Sequence, residues 1–124
     1  MLKNIGIKVV LSLLVAASLV SDSVAQTRIF FGRGRSSAVL RGTLSGNGMR
    51  TYLLGVRAGQ TITVQVNSAN NNVEGDIDYP NGDHIDSTDG GYWQGDTTEN
   101  GSYRISVINN GGRATSYSLT VTVR

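Results

Sequence analysis

The chain has 124 residues, no Cys, one His and a formal net charge of +2. That length fits one small domain, the lack of Cys excludes disulfide staples and a Cys-ligated zinc centre, and a lone His rules out a His-rich metal site. The basic excess makes no case for nucleic acid, because Lys3 and Lys8 belong to an opening segment with a separate purpose and the remainder is close to neutral.

Lys3 and Lys8 precede a mostly apolar run from Ile5 to Val20, and Ser23-Val24-Ala25 follows with small residues where a signal peptidase reads them. The pattern predicts a signal peptide over 1–25 and a single domain over 26–124, periplasmic or secreted. Without the leader, nine Arg face eight acidic residues.

From 26 onward, apolar and polar residues alternate with period two, the pattern of half-buried strands. Strands are predicted at 28–31, 37–44 and 49–56, the last with Tyr52, Leu54 and Val56 inward. The clearest run is 61–66, with Ile62, Val64 and Val66 on one face. Over 73–79, Val73, Gly75, Ile77 and Tyr79 point one way and Glu74, Asp76 and Asp78 the other. Two further runs follow at 103–107 and 117–123. Turn-forming clusters separate them, including Ser45-Gly46-Asn47-Gly48, Asn70-Asn71-Asn72, Pro80-Asn81-Gly82-Asp83 and Asn109 to Gly112. No window beyond the leader carries a helical period. The fold class is therefore all-β: an antiparallel β-sandwich, jelly-roll-like, of about seven or eight short strands. The stretch 87–100 reads as the longest loop.

All eight acidic residues of the domain lie between Glu74 and Glu99, and all nine Arg lie outside that window. Asp76 and Asp78 share a strand face, and Asp83, Asp86 and Asp89 follow. This set forms either a solvated face or an anionic rim that steers a cationic partner. The other alternative is calcium held by Asp76, Asp78 and Asp83, although the spacing is not that of an EF-hand. Trp93 is expected to close one end of the core, with Tyr92 beside it; exposed together, the two rings would instead stack on sugar rings or anchor a protein interface. His84 is expected to be solvated. No residue marks a nucleophile elbow.

Three blocks carry a resemblance. They are Phe31-x-x-Gly34-x-Ser36-Ser37-Ala38 with Gly42 and Gly46; Thr51-Tyr52 with Ala58-Gly59-Gln60, Val64 and Val66; and Gly101-x-Tyr103-x-Ile105-x-Val107 with Tyr117-x-Leu119-x-Val121-x-Val123. Together they resemble the small periplasmic inhibitors of g-type (goose-type) lysozyme, a group similar to the bacterial pre-peptidase C-terminal domain superfamily. The resemblance implies a protein that is not an enzyme and that plugs a lysozyme cleft with surface loops. Lysozyme inhibitors often carry a Ser-Gly-x-Tyr loop there; this chain has Asn100-Gly101-Ser102-Tyr103, with Asn in place of Ser. The implied contact set is Asn100, Gly101, Ser102, Tyr103, Arg104 and Arg113, on loops around 100–103 and 109–116, with the Arg side chains meeting carboxylates. Tyr103 also heads an alternating run, which places its ring in the core. The alternative function is a binding module for calcium or cell-surface glycan without inhibitory activity. A third reading is a structural envelope protein.

Overall fold

A computed structural model describes residues 26–124; the expected signal peptide over 1–25 lies outside them. Nine strands follow in order: β1 (Thr27–Arg28), β2 (Ser37–Leu44), β3 (Met49–Val56), β4 (Thr61–Ser68), β5 (Val73–Asp78), β6 (His84–Ser87), β7 (Tyr92–Asp96), β8 (Gly101–Asn109) and β9 (Thr115–Val123). They form a five-stranded sheet, β1-β3-β8-β5-β6, and a four-stranded sheet, β2-β9-β4-β7. Without β1, this is the strand order of a jelly roll, two four-stranded sheets wound as paired Greek keys. Among the described residues no helix is long and apolar enough to cross a membrane.

The period-two runs become the two inner faces. Ile62, Val64 and Val66 of β4 and Leu119 and Val121 of β9 meet Leu54, Ile77, Ile105 and Val107 of the other sheet, all of them buried. Phe31, Ile85 and Trp93 pack partly buried around this core. At one lateral edge, Tyr52 and Tyr117 join their hydroxyls at 2.6 Å, and Arg50 Nη1 donates to the Tyr117 oxygen at 3.4 Å. Burial, reinforced by the hydrogen bond with Tyr52, pushes the Tyr117 phenol up to about 12. The neighbouring Tyr117 in turn raises Arg50 above its ordinary value.

Three features differ from the pattern in the sequence. β1 pairs with β3 in parallel, Thr27 opposite Tyr52, so one pair in an otherwise antiparallel sandwich runs the other way. The stretch read as a long loop contains β7, and β6 ends inside it. β7 is built around Trp93, whose ring lies over Gly95: a Cβ at Gly95 would stand 2.5 Å from the indole. The β6–β7 connection is a tight turn, closed by Asp89–Tyr92 backbone pairing around Gly90 and Gly91, both with positive φ.

The topology gives the sandwich two ends of different character. At one end lie the β1–β2, β3–β4, β5–β6 and β7–β8 connections, carrying Phe30, Arg33, Arg35, Arg57, Asp83 and Glu99. At the other lie β2–β3, β4–β5 and β8–β9, rich in Asn, Gly and Ser. β8 runs from the charged end to the Asn-rich end over nine residues, ~27 Å at the usual strand rise.

Candidate functional site

The charged end carries the first half of the expected contact set. Asn100 and Gly101 turn the chain from β7 into β8. The Asn100 side-chain oxygen accepts the Ala58 N–H at 2.8 Å, which fastens this turn to the β3–β4 turn. Gly101 has φ +138° and sits against Pro80, so its backbone is available only to glycine without strain. Ser102 faces outward, and its Oγ accepts a hydrogen bond from Arg28 Nη1 at 3.3 Å. A groove of about 450 Å³ runs beside this turn, lined by Gly55, Val56, Arg57, Gln60, Gly101 and Ser102.

Tyr103 points the other way. It is 1% exposed, its ring tilts against Tyr79 at 5.9 Å, and its hydroxyl accepts the Thr98 and Glu99 N–H groups at 3.2 and 3.4 Å. Its place in the period-two run takes the ring inside, where it supports the Asn100 turn from below and presents no contact surface.

Arg104 stands on the outer face of the five-stranded sheet. The strand registers set Arg28, Leu53, Arg104, Asp78 and His84 in one row across all five strands. Asp78 Oδ1 lies 3.1 Å from His84 Nδ1. Among the described residues, no carboxylate lies within 4.0 Å of Arg28, Arg57 or Arg104. Three guanidinium groups at and just below one end are thus without a charge partner of their own.

Arg113 is not part of this group. It lies on the β8–β9 loop, at the far end of β8 from Asn100. The two are close in sequence, but an intervening strand holds them a full sandwich length apart. The 109–116 loop and the 100–103 loop therefore face opposite directions.

The acidic window is likewise divided. Asp76 and Asp78 share the outer face, as their spacing requires, and Asp83 is at the charged end. Asp86 is on the edge strand β6, and Asp89 is on the β6–β7 turn. Their partners are local and separate: Ser87 Oγ donates to Asp76 at 2.7 Å, His84 meets Asp78, and Asn81 Nδ2 donates to Asp83 at 3.2 Å. Among the described residues, no group of three His, Cys, Asp or Glu side chains is gathered so that it would hold a metal ion. The run of charge in the sequence becomes a lateral asymmetry. Acids populate the β5–β6–β7 side, and Arg28, Arg33, Arg35, Arg41 and Arg50 populate the β1–β2–β3 side.

Arg28, Arg57 and Phe30, which is 78% exposed, were not expected at this end. Their positions follow from strand pairing. The only local signal was the Ala58-Gly59-Gln60 turn, whose Ala58 binds Asn100.

No family model matches the sequence, and no curated protein matches it by sequence alone. Solved structures do. PliG of Aeromonas hydrophila, a periplasmic lysozyme inhibitor of g-type lysozyme, superposes with a TM-score of 0.73 and 29% identity over 80% of this chain and 96% of that one. The fold is that of the PliG inhibitors. PliG of Salmonella Typhimurium follows at TM-score 0.60, with 23% identity over 80% of this chain and 97% of its own. A pre-peptidase C-terminal domain of a Bacillus anthracis collagenase shares the architecture at TM-score 0.60, with 15% identity over 80% of this chain and 94% of that domain. The PliG inhibitors and the pre-peptidase C-terminal domain are thus neighbours of this chain on one common sandwich.

Proposed function

We propose that this chain is an exported inhibitor of lysozyme, g-type first, that acts in the periplasm as a binding protein and not as an enzyme. The observation that carries this reading is the likeness to Aeromonas hydrophila PliG across nearly the whole of that inhibitor. The charged end supports it. Glycoside hydrolysis depends on carboxyl groups in a cleft, and guanidinium forks bind carboxylates through two parallel hydrogen bonds. Arg28, Arg57 and Arg104 offer such forks around the Asn100–Ser102 turn, which the Ala58 contact and the buried Tyr103 hold rigid. Inhibition is then occlusion: the turn enters the cleft, the Arg groups engage its carboxylates, and substrate is shut out. Asp78 and Asp83, near the same end, orient a cationic enzyme during approach. Arg113 has no part in this contact.

The test adds the purified 26–124 chain to g-, c- and i-type lysozymes clearing cell-wall suspensions. Inhibition of the g-type enzyme at or below micromolar concentration, competitive with cell wall, is the expected result. Absence of inhibition of all three classes at that concentration overturns the reading.

A further inference from the structure

The Asn-rich end contains a cleft that the inhibitor reading leaves unused. It opens between the end of β4, the β4–β5 loop, the Gly90–Gly91 turn and Asn110, and its volume is about 420 Å³, within the ~300–1,000 Å³ typical of small-ligand sites. Half-buried Val73 gives it a little apolar surface, and Asn67, Asn71, Asn72 and Asn110 line its sides.

The chemistry of this lining is selective. It contains no Lys, Arg or His, so nothing there neutralises a phosphate or carboxylate. Its one carboxylate, Glu74, already accepts the Asn110 amide at 2.8 Å, and a lone carboxylate does not make a cation site. What remains is a set of primary amides, each offering two donors and an acceptor. Among the described residues, the Asn67, Asn71 and Asn72 side chains make no hydrogen bond. Neutral amides with a small apolar patch at Val73 complement a ligand with many uncharged hydroxyls.

The walls are fixed in place. Asn72 N donates to Asn70 Oδ1 at 2.9 Å, Asn110 N donates to the Asn72 carbonyl at 2.9 Å, and Asn70 is itself tied to the buried Asn109. On the opposite wall Gly91 has φ +82°, and a Cβ there would stand 2.5 Å from the Val66 carbonyl oxygen, so the turn closes against β4 without a side chain. Immediately beyond this turn Tyr92 lies 44% exposed, opposite Gln65 and with its hydroxyl donating to Gln94 at 2.9 Å. An exposed ring held in this way is a stacking platform next to the cleft.

We infer that this cleft and Tyr92 form a binding site for an uncharged saccharide of two or more sugar units, one ring among the Asn67, Asn71 and Asn72 amides beside Val73 and the next against Tyr92. The site lies at the opposite end from the Asn100 turn, so it does not depend on the inhibitor reading. The test is a two-dimensional amide NMR titration of the 26–124 chain with diacetylchitobiose, cellobiose and maltose to tens of millimolar. The expected result is saturable shifts confined to Asn67–Glu74, Gly90–Tyr92 and Asn110 with at least one disaccharide. Asn72→Ala and, separately, Asn67→Ala should each weaken that binding ~10-fold. Asn67 is an exposed outer-face residue, so its replacement keeps the fold, and the dispersion of the spectrum verifies this. No shift at this cluster with any of the three sugars overturns the proposal. So do shifts centred on the Asn100 end, or binding unchanged in both variants.

Discussion

Replacing Asn109 by alanine removes the hub of the Asn-rich end. Asn109 is fully buried at the last inward position of β8, where the sequence pattern would place an apolar residue. Its Nδ2 donates to the Ser45 carbonyl at 3.0 Å and the Arg113 carbonyl at 2.8 Å, and its Oδ1 accepts Asn70 Nδ2 at 3.1 Å and the Gly111 N–H at 2.9 Å. One side chain thereby joins the β2–β3, β4–β5 and β8–β9 loops. Asn70 is exposed and can turn to water, and the Ser45 carbonyl still accepts the Gly48 N–H, so alanine leaves two backbone groups, the Arg113 carbonyl and the Gly111 N–H, without partners. At ~1 kcal/mol each the loss is about 2 kcal/mol, a sizeable part of the ~5–15 kcal/mol that holds a domain folded. For a domain of this size that lowers the melting temperature by roughly 8–16 °C. Urea denaturation followed by tryptophan fluorescence measures the loss, with Trp93 as the only reporter. Asn109→Asp sharpens the test, because it keeps the shape but sets an oxygen against two carbonyl oxygens. It should be at least as unstable at neutral pH and recover partly in acid, when the protonated carboxyl regains one donor. A loss below ~1 kcal/mol for alanine, meaning that water replaces the amide at little cost, would refute the hub argument.

Other outcomes follow from the same geometry. Arg104→Ala should weaken inhibition of g-type lysozyme ~10-fold or more while leaving the melting temperature nearly unchanged, since Arg104 has no carboxylate partner to lose; steady-state lysis and a thermal melt read the two effects. Tyr117 has its folded value raised from 10.0 to about 12, so the folded chain holds a proton that the unfolded chain releases. Stability should therefore be intact below pH 10 and fall as pH rises from 10 to 12; in Tyr117→Phe this part of the slope should disappear from melts taken across that range. Calcium at millimolar concentration should leave the melting temperature unchanged, because the aspartates of the window engage separate partners, and a rise of several degrees would show that the native state binds it. Gly101→Ala should cost ~1–3 kcal/mol from its positive φ, measurable by urea titration.

The sandwich was legible where inward residues alternate without interruption. Ile62-Thr63-Val64-Gln65-Val66 and Tyr117 to Val123 declare β4 and β9 because each inward position is apolar. β7 escaped because Gly95 occupies an inward position, and it does so to make room for the Trp93 ring, a reason visible only after the indole is placed. β6 is four residues long and carries the irregularity between Ile77 and Asp78 in its pairing with β5, so its period is too short to register. The site was legible in part. Asn100, Ser102 and Arg104 sit together because they are neighbours on one turn and strand. Arg113 was grouped with them by sequence distance, and a strand that reverses its ends undoes that grouping. Arg28 and Arg57 reach the site through the β1–β3 and β3–β8 pairings, a long-range arrangement that no local spacing encodes.

The strand order also governs when this protein can fold. β8 is the middle strand of one sheet and β9 an inner strand of the other, yet they are the last two strands of the described chain. Only β5 and β6 are both consecutive in sequence and paired with each other. A chain emerging from its N-terminal side thus has almost nothing local to assemble, and both sheets wait for their centres to arrive. Such non-local topologies fold slowly. On the export proposed above, that delay would be an advantage: the strands would stay extended and translocation-competent, and the sandwich would close around β8 and β9 after the whole length had crossed.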